Sequence, residues 1–466
     1  MSYLQLLLIA LSVVLTLCCD SGQTGGKRPL THEAVKSNIK VYDAQEDPLY
    51  LTPFIEEGFL EEARGAAKVI SPPFNSINSY SGFITVNKTF DKNMFIWFFP
   101  SKNEEDPVML WLQGGPGLTS LFGLFSEIGP FQIENDTVAP RNETWCNSHS
   151  ILFIDNPVGT GYSFTKEGGL PHDEIQIGEE LYEALRQFFE LFPELRKNDF
   201  FVAGESYAGK YVPIISDKIS RANYDLPNSL RINLKGLAIG NGWLDPINQM
   251  NIGEYTFQLG LVDSKTKSRM DECRDKSIEL LHQGHLVNST LVQREITTIF
   301  KNATAYDNLY NYLLPADQKT EDIVESFVQR KEVRRAIHVG NLTFNPDELV
   351  DTALQGDIMV SVANILADLL ENYRVLIYSG QLDLAVPYPT TVNYLEKLKF
   401  TSAEEYRAAE RRIWYKKDDI AGYVKTAGNL TDIMILNAGH LVPMDQPEVA
   451  FEMIYNFTRN KNIGSK

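Results

Sequence analysis

Short apolar runs rich in β-branched and aromatic residues recur along the chain, and they limit its fold more than any other feature. Several are apolar almost without interruption, as expected for strands that are covered on both faces. Longer amphipathic stretches lie between them, and at 173–192 the apolar residues recur at helical spacing. Strands that alternate with helices indicate an α/β fold with a mostly parallel central sheet covered by helices. The runs lie at 82–87, 94–99, 108–113, 150–157, 200–205, 233–241, 374–380 and 433–439.

Two parts of the 466-residue chain depart from this rhythm. Residues 245–350 are polar and dense in charge, and we interpret them as a helical insertion that caps the sheet. Residues 22–75 contain Pro and Gly in a mixed composition, which is typical of an extended N-terminal arm or a propeptide. The sequence therefore predicts a core built from residues 76–244 and 351–462.

The N-terminus resembles a secretory leader. Residues 4–19 are uncharged and mostly apolar, too short for a typical membrane helix, and small residues follow them. We expect residues 1–21 to be a signal peptide, with a retained signal anchor as the alternative, and no membrane span after its removal. Eight Asn-x-Ser/Thr sequons support passage through the secretory pathway, and we expect surface glycosylation at them. They are Asn87, Asn135, Asn142, Asn288, Asn302, Asn341, Asn429 and Asn456.

Charge and cysteine content exclude several classes of function. The formal net charge is −18, whereas a nucleic-acid or anionic-membrane partner would require a basic face. Once the leader is removed, Cys146 and Cys273 are the remaining cysteines, and they form either one disulfide or two free thiols. No Cys-x-x-Cys motif or Cys/His cluster suggests a metal, so we expect neither metal nor cofactor.

A candidate nucleophile lies in the stretch Gly-Glu-Ser-Tyr-Ala-Gly at 204–209. An apolar run precedes Ser206 and a helical pattern follows it, so the serine occupies a sharp strand-to-helix turn. The second glycine, Gly209, comes one residue later than in the usual Gly-x-Ser-x-Gly signature. Taken alone, a Gly-x-Ser turn is also compatible with a purely structural role.

Two further loops supply a base and an acid in the order Ser, acid, His that such hydrolases use. His440 follows the run at 433–439, and Asp383 follows the run at 374–380. The glycine cluster at 114–117 follows another run, where backbone N–H groups can approach a reacting carbonyl. The other histidines and acids weighed for these roles are His338, His282, His285, Asp357 and Asp368.

Six segments together resemble the serine carboxypeptidases of the α/β-hydrolase fold, and most of all their vitellogenic and vitellogenic-like members. The similarity runs from about residue 75 to about residue 458. The segments are WLQGGPGLTSLFGLFSEIGPF, ILFIDNPVGTGYSF, VAGESYAGKYVP, LAIGNGWLDP, YSGQLDLAVP and NAGHLVPMDQP.

The resemblance implies a role for each matching residue. Ser206 would be the nucleophile, His440 the general base and then acid, and Asp383 the group that orients His440. The amides of Gly115 and Tyr207 would form the oxyanion hole. Residues that bind the C-terminal carboxylate of the substrate would be the glutamate pair Glu205 and Glu127, with Gln113, Trp111 and Gly114.

Three positions depart from the family pattern. Gln113 replaces a commoner asparagine, Leu118 replaces a common cysteine, and Gln381 replaces the first acid of the usual Gly-Asp-x-Asp wording. The longer amide of Gln113 could shift specificity or affinity for the substrate C-terminus. With leucine in place of the cysteine at position 118, the disulfide formed by that cysteine is absent.

The sequence thus predicts a serine-type carboxypeptidase that removes C-terminal residues through an acyl-enzyme. Two adjacent carboxyls accept a third only while they retain a proton, so we expect an acidic working pH. Alternatives are an acyltransferase on the same fold, or a yolk-associated or protective glycoprotein with latent activity. We expect an extracellular, lysosomal or yolk-granule location, peptide substrates with a free C-terminal carboxylate, and a monomer or homodimer.

Overall fold

A computed structural model of the protein describes residues 46–316 and 318–464. The expected signal peptide and residues 22–45 of the expected arm lie outside the described residues. Ten strands form one sheet, and β4 and β5 form a separate hairpin. The strands are β1 Tyr80–Asn87, β2 Lys92–Phe99, β3 Val108–Leu112, β4 Phe131–Glu134, β5 Thr137–Pro140, β6 Ser150–Ile154, β7 Phe200–Glu205, β8 Leu234–Gly240, β9 Arg374–Gly380, β10 Arg412–Lys416, β11 Asp419–Ala427 and β12 Leu430–Ile435.

The large sheet has the order β1-β2-β6-β3-β7-β8-β9-β12-β11-β10. Its six central strands, from β6 to β12, are parallel to one another, and an antiparallel pair extends each side. Each of the eight apolar runs overlaps a strand of this sheet, although the runs at 150–157 and 433–439 continue past the ends of β6 and β12. In β7 every residue is buried, because helices cover both faces of the central strands. The prediction of an α/β fold with a mostly parallel sheet is confirmed.

Helices join the strands. The helix predicted over 173–192 begins after Asp173, whose carboxylate accepts a hydrogen bond from the N–H of Gln176 at 2.9 Å. The helices are α1 Thr52–Glu56, α2 Leu60–Ala67, α3 Ser120–Phe122, α4 Glu174–Leu191, α5 Ala208–Asp225, α6 Pro246–Gln249, α7 Ile252–Gln258, α8 Ser264–His282, α9 Leu286–Thr304, α10 Thr320–Val328, α11 Lys331–Ala336, α12 Glu348–Ala353, α13 Ala363–Leu370, α14 Tyr388–Lys397, α15 Ala403–Ala408, α16 Val442–Asp445 and α17 Pro447–Thr458. None of those described is both long and apolar enough to cross a bilayer.

Residues 46–75 differ from the extended arm that their composition suggested. They contain α1 and α2, and they pack on the sheet through fully buried side chains. Phe74 is completely buried and meets the ring of Trp97 edge-on, with 4.9 Å between ring centroids. Aromatic burial of this kind ties the segment to the main core.

Helices α6 to α11 lie within residues 245–350, the predicted insertion, and α12 begins there and ends at Ala353. Helices α8 and α9 pack against each other, and a second apolar cluster forms beneath them, separate from the main core. Leu384, which follows Asp383 directly, belongs to this cluster. The insertion is therefore anchored next to one of the candidate site residues.

The structure leaves Cys146 and Cys273 free, so the disulfide alternative is wrong and the two-thiol alternative holds. Cys146 packs against the main core and Cys273 against the cluster of the insertion. Each thiol is held in a different apolar environment, which explains why the two do not pair.

The eight sequons fall into two groups by exposure. Asn135, Asn142, Asn288, Asn302 and Asn341 are exposed, whereas Asn87, Asn429 and Asn456 are half-buried. The side-chain amide of Asn429 donates to the carbonyl of Leu370 at 2.9 Å. Occupancy at each sequon stays a prediction.

Candidate active site

Ser206 lies between the last residue of β7 and the first turn of α5. Its φ of 59° is in the left-handed region, which is uncommon for residues other than glycine and indicates a strained turn. Its N–H donates to the carbonyl of Gly240, and its carbonyl accepts from the N–H of Trp243, both at 2.9 Å. The turn is thus pinned to the chain that leaves the neighbouring strand β8.

The packing of this turn against the loop after β8 explains why the second glycine of the motif is at position 209. A Cβ atom at Gly209 would lie 2.9 Å from the Cα of Gly242 and from the amide nitrogen of Trp243. Because both are backbone atoms, the first turn of α5 packs this closely against the loop after β8 only with glycine at 209.

Asp383 and His440 are hydrogen-bonded in the loops after β9 and β12. Nδ1 of His440 lies 2.8 Å from Oδ2 of Asp383, and both side chains are buried. The carboxylate also accepts from the N–H groups of Ala385 at 2.7 Å and Val386 at 3.2 Å. An ionised carboxylate can only accept, so the proton of a neutral His440 resides on Nδ1.

Asn241, in the loop after β8, joins this pair to the serine turn. Its amide donates to Oδ2 of Asp383 at 2.6 Å, and its backbone directly follows Gly240, which holds Ser206. The loops after β7, β8, β9 and β12 lie at the same edge of the sheet because these strands are parallel and adjacent. The structure therefore brings Ser206, Asp383 and His440 to one edge.

The remaining nitrogen of His440 is available for proton transfer. In the part of the chain that the structure describes, Nε2 is buried and has no hydrogen-bond partner. Nδ1 is engaged by Asp383, so Nε2 is the nitrogen able to take a proton from a hydroxyl. Bonds between nucleophile and base are often formed only when substrate is present.

The backbone of the glycine cluster at 114–117 lies beside Ser206. A Cβ atom at Gly114 would lie 2.6 Å from Cβ of Ser206 and 2.7 Å from the amide nitrogen of Tyr207, so the glycine cluster touches the serine turn. Tyr207 precedes the first residue of α5, and its N–H is among the donors of the first turn that no helical carbonyl accepts. Gly115 follows with φ of 108°, a conformation that glycine favours.

Glu127 and Glu205 form a buried carboxyl pair next to this turn. Gln113 donates through Nε2 to Oε1 of Glu127 at 3.2 Å and to Oε1 of Glu205 at 2.6 Å, and its Oε1 accepts from Nε1 of Trp111 at 2.9 Å. Burial raises the pKa of Glu127 to about 7. Burial, and next the charge of Glu127, raise the pKa of Glu205 well above its usual range. The pair therefore holds a proton under mildly acidic conditions.

Comparison with known proteins identifies a family that agrees with this geometry. A profile of the serine carboxypeptidase family (peptidase S10) matches residues 70–460, most of the chain. The chain belongs to the serine carboxypeptidase family. It is a hydrolase of that family, and the predicted family and enzyme class are confirmed.

Named relatives are similar over nearly their whole length. A venom serine carboxypeptidase of Apis mellifera is 47% identical over 430 residues, covering 89% of this chain and 92% of the relative. A vitellogenic carboxypeptidase of Aedes aegypti is 42% identical, covering 90% and 91%, and a probable serine carboxypeptidase, CPVL, of Homo sapiens is 41% identical, covering 89% and 90%.

A solved structure shows the same fold. The crystal structure of Kex1(delta)p, a prohormone-processing carboxypeptidase from Saccharomyces cerevisiae, superposes with a TM-score of 0.76. It is 23% identical, covering 85% of this chain and 96% of that one. The likeness confirms the α/β-hydrolase fold of this serine carboxypeptidase.

The other histidines and acids that the sequence offered lie elsewhere in this serine carboxypeptidase. Nδ1 of His338 lies 2.9 Å from Oγ of Ser81, and burial lowers its pKa to about 4. His282 and His285 are exposed on the insertion, and Asp368 is exposed on α13. Asp357 is paired with the buried ammonium of Lys210 on α5. None of these is hydrogen-bonded to Asp383 or His440 among the described contacts.

Sequence reasoning missed several residues that shape the site. Asn241 stood within a quoted segment but carried no chemical signal of its own. Asp155, in the loop after β6, accepts from the hydroxyl of Thr119 at 2.5 Å and the N–H of Ser120 at 3.0 Å, which fixes the loop after β3. Tyr310, from the insertion, stacks on the ring of His440. A buried acid after a strand, such as Asp155, is a signal that could have been found.

Proposed function

We propose that this serine carboxypeptidase removes single residues from the C-termini of peptides through an acyl-enzyme on Ser206, at acidic pH. Two arrangements support the proposal together. The pair Asp383–His440 lies at the same sheet edge as Ser206, and the glutamate pair lies directly beside the serine. The glutamate pair is the observation that favours cleavage at the C-terminus of the peptide.

Each half-reaction uses the same groups. Nε2 of His440 takes the proton of Ser206 Oγ as the oxygen attacks the scissile carbonyl, and the N–H groups of Gly115 and Tyr207 stabilise the resulting oxyanion. His440 then returns the proton to the leaving amine, the C–N bond breaks, and the terminal amino acid departs. Water, deprotonated by His440, attacks the acyl-enzyme and frees Ser206.

The glutamate pair explains why the enzyme would act at the C-terminus. Glu205 directly precedes Ser206, so a carboxylate bound by Glu205 and Glu127 lies within one residue of the scissile bond. A carboxyl group donates to another carboxylate only when it is protonated. The raised pKa values of both glutamates supply that proton at acidic pH.

This substrate selection favours peptide hydrolysis over the alternatives. An ester donor for acyl transfer has no terminal carboxylate for the pair to bind. A latent glycoprotein would not need a buried acid pair beside an intact Ser, His and Asp set. The leader-like N-terminus and the sequons support a location in the secretory pathway, as do relatives named after venom and vitellogenesis.

Digestion of N-blocked dipeptides at pH 5 tests the proposal. The purified, processed protein should release the C-terminal amino acid, and an organophosphonate should label Ser206. Ser206→Ala should lower turnover at least about a thousandfold without changing the melting temperature. Ser268→Ala, an exposed serine on α8, serves as the matched control. Failure of the native protein both to release amino acids and to take up the label would refute the proposal.

A further inference from the structure

The insertion reaches the site through a short segment, residues 308–312. The N–H of Tyr312 donates to the carbonyl of Leu382 at 3.0 Å, and the N–H of Leu384 donates to the carbonyl of Leu309 at 3.0 Å. These two bonds flank Asp383 on either side. The segment is thereby fixed to the loop that carries the acid.

The same segment is bonded to the histidine loop. The N–H of His440 donates to the carbonyl of Tyr310 at 2.6 Å. Asp445 accepts from the amide of Asn311 at 3.2 Å and from the N–H of Gly439 at 2.7 Å, joining the segment to the loop a second time. A Cβ atom at Gly439 would lie 2.0 Å from the carbonyl oxygen of Tyr310, so the approach requires glycine there.

The side chain of Tyr310 completes this contact. Its ring is stacked on the imidazole of His440, with 4.9 Å between centroids and 12° between planes. Its hydroxyl donates to Glu321 on α10 at 3.1 Å, which holds the ring from its far end. The residue is 37% exposed, and it lines a cavity of about 270 Å³ together with Phe122, Leu441 and Met444.

We propose that Tyr310 is a positioning residue for His440, and that the insertion supplies it to the site. The inference rests on the proposed function. One hydrogen bond from Nδ1 to Asp383 leaves the imidazole able to pivot about that bond. A flat ring packed on one face prevents the pivot and keeps Nε2 directed toward its proton donor.

The stacked ring has a second effect during the reaction. His440 becomes an imidazolium when it takes the proton of Ser206, and the face of an aromatic ring attracts a cation. A centroid separation of 4.9 Å lies within the range over which this attraction acts. The aromatic ring is therefore needed at the chemical step, whereas the phenolic hydroxyl is needed only to hold the ring.

Three variants of the full-length protein test the proposal, using a small organophosphonate that reacts with Ser206 in one chemical step. Tyr310→Leu should lower both the inactivation rate and kcat roughly tenfold, a loss of the size that a cation–π contact provides. Tyr310→Phe keeps the ring and should stay within about threefold of the native rates. Leu313→Ala, at an exposed residue that directly follows this segment, should leave both rates unchanged.

The outcomes separate the possibilities. Tyr310→Leu reacting at the native rate, or Tyr310→Phe reacting as slowly as Tyr310→Leu, would overturn the proposal. Equal losses in Tyr310→Leu and Leu313→Ala would show a general effect of the insertion and would also overturn it. Should Tyr310→Leu melt well below the native protein, Tyr310→Met provides the same comparison. Failure of the native protein to be labelled contradicts the proposed function instead.

Discussion

The substitution Glu205→Gln isolates the acid pair from the rest of the site. Glutamine keeps the shape of the side chain and an oxygen that can accept from Gln113, which now donates to Glu205 at 2.6 Å. It also carries an N–H donor at every pH, and it removes the charge that Glu127 and Glu205 impose on each other. The variant should therefore bind a terminal carboxylate without first having to take up a proton.

The pH dependence of the native enzyme follows from the raised pKa values. A carboxyl with a pKa of about 7, as for Glu127, is protonated below that pH and loses its proton above it. The substrate carboxylate stays ionised throughout, since its own pKa is near 3.5. Above pH 7 the carboxyl must take up a proton before the peptide can bind. This uptake costs about 1.4 kcal/mol per pH unit, so the affinity for peptide should fall about tenfold per unit.

The assay compares two substrates with the same acyl part, an N-blocked dipeptide and the corresponding methyl ester, between pH 5 and 8.5. The ratio of their kcat/KM values cancels the chemistry of Ser206 and His440, because only the peptide has a terminal carboxylate. For the native enzyme the ratio should be constant at low pH and fall above about pH 7. For Glu205→Gln it should fall less steeply. Equal slopes for the two proteins would refute the role of the pair.

Three further predictions concern the rest of the molecule. Alkylation of the native protein should spare Cys146, whose pKa burial raises to about 12, and unfolding without reductant should expose two reactive thiols; a disulfide would leave none. Glycopeptide mapping should find glycans at the five exposed sequons and none at Asn429, whose amide is bonded to Leu370. The unfolding free energy should decrease as the pH rises from about 6.5 to about 8. Burial raises the pKa of Glu174 to about 8, so the folded state holds a proton that the unfolded chain releases near pH 4.5. Below pH 6.5 the buried His149 and His338, with pKa values lowered to about 3 and about 4, oppose this trend. In thermal melts Glu174→Gln should make the decrease above pH 6.5 shallower, and the part that remains comes from Glu127 and Glu205.

The sequence predicted the central sheet and the loops that carry the candidate site well. Fully buried parallel strands need long apolar runs, and such runs are visible without knowledge of their partners. The site then follows from the rule that polar residues after parallel strands meet at one edge. Ser206, Asp383 and His440 each follow such a run, so their placement at one edge needed no information on side-chain packing.

The parts that were not predicted depend on contacts between distant segments. β10 and β11 are partly exposed strands with mixed composition, so they lack the apolar signal of the central strands. α1 and α2 are short and are stabilised by burial against the sheet, which a local pattern does not reveal. Tyr310 lies in a polar insertion, and nothing in its sequence neighbourhood indicates that its ring faces His440.

The orientation of Gln113 shows how the hydrogen-bond network decides where the shared proton resides. The indole N–H of Trp111 can only donate, so it fixes Oε1 of Gln113 toward itself and turns Nε2 toward the two glutamates. Each glutamate then uses Oε1 as an acceptor for this amide. The two carboxyls are also hydrogen-bonded to each other, which requires a proton between them, and neither Oε2 atom accepts from an N–H or hydroxyl in the described part of the chain. The proton held by the pair is the donor from which a substrate carboxylate would accept. Replacing Trp111 by phenylalanine would free the amide of Gln113 to flip, and the pair would lose its selectivity for a terminal carboxylate although both glutamates remained.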